Sequence, residues 1–254
     1  MAQTFTSQEL QDLAVFPFKQ SDWQKKFVIG SLVAIAGYLL VVPFVFLYGH
    51  GVELMRRVIE ADAEPFIPEW DDWGKIFSDG IKPVGVGFIY MLPLFLLMIC
   101  GYALFFSSIF VPALAAETSG GDPGVLGIIP AFGFVGFTGM IFAVMVLGLA
   151  VGAILPVVIA HVVATDDFAA GFHFAEIWRI FKANWGGFLL TYVIVMVFSF
   201  MLSFVFQLLY LTIIGCCFLP FLIPVFGYYM TLIYAVLFGR AYRAAIEELE
   251  AVAA

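Results

Sequence analysis

Four stretches of this sequence contain no Asp, Glu, Lys or Arg: residues 27–52, 84–116, 123–165 and 183–239. A helix needs about 20 apolar residues to cross the hydrocarbon core of a bilayer. The second stretch holds one crossing, at 85–111. The third is long for a single helix. Its first part, from Gly124 to Gly139, is rich in glycine and interrupted by Pro130, which places the crossing at 138–162. The fourth has room for two crossings, at 187–211 and 218–239, with a turn marked by Gly215 and Pro220. The first stretch, 27–48, is ambiguous between one crossing and a hairpin.

Composition agrees with a life in lipid. Of 254 residues, 63% are hydrophobic and 12% charged, against about 45–50% and about 25% in a soluble domain. Such a chain cannot hide its apolar surface from water, so a soluble enzyme and a disordered chain are excluded. The net charge of −8 argues against a nucleic-acid partner and against polybasic docking on anionic lipid. Cys100, Cys216 and Cys217 lie in apolar runs without metal-ligand spacing and read as small buried hydrophobes. Residues 1–26 are polar and amphipathic, with no short apolar core or small-residue cleavage site, so they do not read as a signal peptide. Thr6 and Glu9 fit a capping box and Phe5 and Leu10 the accompanying staple. They predict a short helix that lays Leu10, Leu13 and Ala14 on an apolar surface.

Basic residues normally stay on the cytoplasmic side. The segments 53–83 and 164–186 and the tail from Arg240 hold all the Lys and Arg except Lys19, Lys25 and Lys26, whereas the loops 112–124 and 212–217 hold none. The three basic segments are therefore expected in the cytoplasm. One crossing by 27–48 would strand the first three lysines outside, and a re-entrant hairpin would bring every basic residue to one side. Gly37, Pro43 and Gly49-His50-Gly51 permit the hairpin.

A repeat favours the hairpin. Asp22-Trp23-Gln24-Lys25-Lys26-Phe27 matches Asp72-Trp73-Gly74-Lys75-Ile76-Phe77, and Glu176-Ile177-Trp178-Arg179-Ile180-Phe181 is a looser copy. An acid favours a helix start, Trp sits at headgroup depth, and a long basic side chain keeps its charge in water above an apolar stem. Trp23, Lys25, Trp73, Lys75, Trp178 and Arg179 are accordingly candidate interfacial anchors. The apolar spacing around the later two copies predicts helices lying on the membrane.

The expected fold is thus an all-α integral membrane protein. It has two transmembrane hairpins, at 84–162 and 187–239, after a first apolar segment at 27–58 that re-enters or crosses once. Cytoplasmic amphipathic helices lie within 59–83 and 163–186, flanked by an amphipathic segment at 1–26 and a cytoplasmic tail at 240–254.

Phe16-Pro17-Phe18, Asp22-Trp23, Lys25-Lys26, Ile29-Gly30, Gly37-Tyr38, Arg56-Arg57, the run Pro68-Glu69-Trp70-Asp71-Asp72-Trp73-Gly74-Lys75-Ile76-Phe77 and Asp79-Gly80 occur in that order. Ala169-Ala170-Gly171-Phe172 and Tyr242-Arg243 follow. In this order the chain resembles a multi-pass membrane family of bacteria and archaea, domain of unknown function 4013, with the Pro-Glu-Trp-Asp-Asp-Trp-Gly run the most specific part. The resemblance covers nearly the whole chain and implies a bacterial or archaeal plasma membrane (cell inner membrane) location. It also implies a distant kinship with the membrane domain of some glycerophosphodiester phosphodiesterases, without their catalytic domain.

Chemistry within the spans is sparse. Ionisable residues in a membrane usually mark relays and ion paths, and the span cores lack them. Gln207 is the one amide well inside a span. His50, His161 and His173 are dispersed in sequence and show no convergent ligand set. No nucleophile–base pattern, phosphate-cradling loop or zinc spacing is present, and no cofactor, metal or enzymatic activity is expected. The acidic segment with Glu60, Asp62, Glu64, Glu69, Asp71 and Asp72 reads either as a solvated loop or as a face that docks a basic partner. Two functions follow. One is a non-enzymatic accessory or scaffold subunit whose partners are membrane lipids and other membrane-protein subunits. The other is a transporter or lipid-handling protein for hydrophobic or amphiphilic cargo, suggested by the repeat and by Pro93, Pro156, Pro220 and Pro224.

Overall fold

The computed structural model describes residues 7–40, 42–60, 65–119 and 128–253, and every regular element among them is helical. The helices are α1 (Ser7–Val15), α2 (Trp23–Leu39), α3 (Val42–Glu60), α4 (Trp73–Ser119), α5 (Ile128–Thr165), α6 (Phe174–Ala183), α7 (Trp185–Tyr210) and α8 (Ile213–Ala253). Short 3-10 turns occupy Phe16–Phe18 and Ala169–Phe172. Among the described residues, α4, α5, α7 and α8 are each long and apolar enough to cross a membrane. This is a multi-pass membrane protein.

The chain forms two compact units. The first comprises 1–86 with 153–254, and the second 87–152. In the first unit α8 is the central element, contacted by α2, α3, α6 and α7. Leu232, Val236, Leu237, Phe238, Ala241 and Ala245 on it are all but inaccessible. A helix buried on several faces cannot show one polar stripe, and here small residues let its neighbours approach. A β-carbon at Gly239 would lie 3.1 Å from Val58 of α3, and Gly30 of α2 faces the ring of Tyr228. Helices α3 and α4 meet backbone to backbone, with Gly49 against the Ile76 carbonyl and Gly80 against that of Val45. Close approach through glycine is the means by which apolar helices associate where burial from water supplies no drive.

Helix α2 ends at Leu39, and Leu40 is extended. Helix α3 then runs back, so that Gly30 and His50 both lie against Tyr228. The segment 27–58 is therefore a helical hairpin and not one continuous helix.

In the second unit the 87–119 part of α4 pairs with the 128–152 part of α5. Met140 fills the space beside Gly101, and the Ser108 side chain that beside Gly133. Phe105 stacks on Phe137 at 4.7 Å between ring centroids. Ser107, Ser108 and Thr138 donate their hydroxyl protons to carbonyls of their own helices, so none of them needs water.

Three boundaries differ from those read off the sequence. Pro130 does not delay the helix, because α5 runs from Ile128 and proline is harmless in a first turn, where its missing N–H would have no partner. The turn after α7 is at Leu211–Thr212. The Thr212 hydroxyl oxygen accepts from the Gly215 N–H, and Pro220 and Pro224 lie inside α8. The third concerns 73–83, which is not a separate helix but the opening of α4. By contrast α6, around the third copy of the repeat, is separate. Asn184 ends it and caps α7 by accepting from the Gly187 N–H at 3.2 Å.

Candidate functional site

The polar chemistry of the first unit gathers in three places. The first is built on Pro68-Glu69-Trp70. Trp70 stacks on His50 (3.9 Å between centroids, 5° between planes) and donates its indole N–H to the Lys26 carbonyl at 3.1 Å. His50 is fully buried. Its Nε2 lies 3.2 Å from the Pro68 carbonyl, which can only accept, so Nε2 carries the proton. Nδ1 is then the acceptor for the Tyr228 hydroxyl at 3.4 Å. The Lys26 side chain is 7% exposed, and its ammonium pairs with Glu69 at 2.8 Å and Asp22 at 3.1 Å. Burial pulls its pKa down, but its hydrogen bonds to Glu69 and Asp22 outweigh that and leave it above the ordinary lysine value. The same hydrogen bond holds Asp22 below the ordinary carboxylate value. This cluster locks the start of α2 onto the 65–72 strap.

The second place is an ionic network. Arg56 of α3 binds Asp79 of α4 through two nitrogens, at 3.0 and 3.3 Å, and reaches Asp166 at 3.1 Å. Lys82 donates to the Asp166 carboxylate at 2.8 Å and to its backbone carbonyl at 2.9 Å. Asp166 follows α5 with φ 53°, a left-handed conformation that Asp tolerates better than most residues. The Lys82 hydrogen bond keeps its carboxyl below the ordinary range.

The third is a pocket of about 620 Å³ walled by the ends of α3, α5 and α8 and the start of α6. His161, 3% exposed, sits in its wall with Nδ1 2.9 Å from the Tyr242 hydroxyl. Its Nε2 is buried and has no hydrogen-bond partner. The Glu176 carboxylate stands 3.7 Å from that nitrogen. Glu60, Glu247 and Glu250 are also on the wall, and Arg243 pairs with Glu247 at 2.9 Å.

The sequence candidates are not brought together. Trp23 lies in a ring cluster with Phe18 and Phe27, and Trp73 rests on Phe46 and Trp70. The residue over the half-exposed Trp178 ring is Lys182, at 5.2 Å, and not Arg179. Lys25, Lys75 and Arg179 are exposed. Asp22 makes no side-chain cap for α2, whereas Asp72 accepts from the Lys75 N–H and caps α4. Of the acidic candidates, Glu69 is taken up by Lys26, Asp71 accepts from the Asp72 N–H, and Glu60 lines the pocket. Asp62 and Glu64 lie outside the described residues, as do Phe5 and Thr6 of the expected cap. Helix α1 is present, with Leu13 buried and the Ala14 carbonyl accepting from the Tyr229 hydroxyl at 2.8 Å. Cys100, Cys216 and Cys217 are exposed on the apolar exterior and not buried as expected, since a lipid-facing position suits a small hydrophobe as well as a core does.

Sequence reasoning missed the Glu176–His161–Tyr242 grouping. The available signal was a histidine within an apolar run ending at Thr165. Among the described residues no group of three or more His, Cys, Asp or Glu is placed to hold a metal ion.

Residues 32–215 match the model of a family described as "Protein of unknown function (DUF4013)". The chain belongs to this family. No curated protein and no solved structure matches it. The kinship with glycerophosphodiester phosphodiesterases implied by the resemblance finds no support in these comparisons.

Proposed function

We propose that this family member is a non-enzymatic accessory or scaffold subunit of a larger assembly in a bacterial or archaeal plasma membrane. The observation that carries the reading is the bareness of the second unit. None of an 18-residue apolar window of α4 is buried. Phe132, Phe134, Phe142 and Phe110 are at least half exposed, and Gly136 and Gly139 have nothing within 4 Å of where a β-carbon would be. Aromatic rings beside uncovered glycines suit a helix-packing face. The first unit is the anchor of this subunit. Its α2–α3 hairpin dips into the bilayer and returns, so Lys26, Arg56, Lys82 and the C-terminal tail share the cytoplasmic side. The exposed Asp71 and Asp72 add an acidic patch for a basic partner.

A photo-crosslinking amino acid at Phe132 or Phe142 in native membranes tests the role. A discrete protein adduct that Gly136→Leu abolishes is expected. Lipid adducts alone would remove the proposal. An N-terminal tag labelled from outside intact cells would overturn the hairpin topology.

A second reading, binding of an amphiphile, rests on an apolar groove of about 420 Å³ between α1, α7 and α8, lined by Leu13, Val197, Phe198, Met201 and Tyr229 among others. Its size and nearly uniform apolar lining suit an acyl chain. Filling it with Ala14→Trp is expected to lower the lipid that co-purifies; an unchanged lipid content counts against it.

A further inference from the structure

The pocket at the polar end of the first unit has no part in the accessory role, yet it is furnished as a binding site. Its wall carries four carboxylates, Glu60, Glu176, Glu247 and Glu250, and one basic side chain, Arg243. Because Arg243 is already paired with Glu247, the wall keeps an excess of negative charge. Independently of that charge, His161 holds a polar atom there with its hydrogen-bonding capacity unused. The side chain is 4% exposed and Nε2 has no partner. Buried polar atoms are nearly always paired, so each exception asks for an explanation.

The geometry names the missing group. Nδ1 lies 2.9 Å from the Tyr242 hydroxyl, which can donate or accept; in the tautomer whose Nδ1–H donates to it, Nε2 presents a lone pair. The Glu176 Oε2, another acceptor, stands 3.7 Å away. Two acceptors have no proton to share with each other, and this separation lets one group with several donors bridge them. An ammonium has three donors and no acceptor, and its charge answers the carboxylates. A metal ion fits less well, since no metal-holding group of three or more His, Cys, Asp or Glu exists among the described residues.

We propose that this pocket binds an aliphatic amine through a primary ammonium bridging His161 Nε2 and Glu176. The remaining carboxylates, spread around about 620 Å³, accommodate a second cationic centre, so the class of ligand is a linear polyamine. A lipid headgroup with a primary amine offers the same first contact, and the experiment separates the two sources.

The full chain in nanodiscs of phosphatidylcholine, which has no primary amine, is titrated with spermidine by calorimetry. Saturable binding is expected, weakened at least about tenfold by Glu176→Gln and by His161→Phe. Glu250→Gln, a change at an accessible rim, is expected to weaken it less. Asp12→Asn, at an exposed carboxylate outside the pocket, should leave affinity unchanged. Thermal unfolding of each variant without ligand identifies any that fail to fold, and Glu176→Gln and Glu250→Gln carry the test if His161→Phe does. Absence of saturable binding, equal weakening by Asp12→Asn, or equal competition by magnesium ions at matched ionic strength would overturn the proposal. Displacement of spermidine by phosphatidylethanolamine in the disc supports the ammonium site and assigns its occupant to the membrane; no displacement assigns it to the soluble polyamine.

Discussion

The two units use apolar helices to opposite ends. In the first, 44% of an apolar window of α8 is buried, whereas in the second none of the corresponding window of α4 is. Apolarity is therefore no measure of burial in this chain, because lipid is as good a neighbour for Phe or Leu as another helix is. Burial follows small residues and polar cross-links. Gly30, Gly49, Gly80 and Gly239 are each filled by a neighbouring helix, and Lys26, Arg56 and Asp166 tie distant segments together. The second unit has glycines of both kinds. Gly101 and Gly133 are occupied, while Gly136 and Gly139 are open.

The contrast is breakable at single residues. The largest effect is expected for Gly80→Leu, whose side chain would enter the Val45 backbone, which cannot rotate away. A loss of about 3 kcal/mol or more is expected, read as loss of folded protein in detergent. Gly136→Leu should stay within about 0.5 kcal/mol, as ordinary surface changes do. Equal damage at both positions would end the distinction between filled and open glycines.

Trp70→Ala comes close behind. It removes a ring that is 8% exposed and holds His50 and the Lys26 carbonyl, for about 3–5 kcal/mol. Phe132→Ala, at a side chain 72% exposed, should cost less than about 1 kcal/mol in detergent by the same surface argument. Denaturant titration of both variants ranks them.

Arg56→Met is expected to cost about 2 kcal/mol, less than the 3–5 of a fully buried pair, because Arg56 is 21% exposed. The Arg56→Met, Asp79→Asn double variant should recover most of that loss, since position 79 is then neutral and Asp166 keeps Lys82. Failure to recover would place the damage in packing.

The smallest effect is acid sensitivity. Asp22 and Asp166 have folded pKa values below the ordinary 3.8. Their contribution is complete above the unfolded value and is lost as pH falls through the folded one. Melting temperature should therefore decline below about pH 4, less steeply in Asp166→Asn. A decline centred near neutrality would point to other groups.

Much of the architecture was legible because the constraint is coarse. Uncharged runs long enough for a bilayer reveal spans, and each predicted crossing lies largely within a helix of the structure. Proline and glycine misled at the boundaries. Pro130 sits where its missing N–H has no role, and Pro220 and Pro224 lie within a helix already under way. The polar pocket was not legible. His161, Glu176 and Tyr242 belong to three different helices, and nothing in their spacing along the chain brings them together.

By itself the sequence determined that this chain is helical, multi-pass and poor in charge within its spans, because a bilayer leaves a backbone few other ways to satisfy its hydrogen bonds. Tertiary structure alone decided which apolar faces are covered. It also turned 27–58 into a hairpin, joined Lys26 to Glu69, and left one histidine nitrogen unpaired beside a carboxylate. Those outcomes depend on the approach of helices at particular glycines and on long-range ion pairs, and neither is encoded in local periodicity.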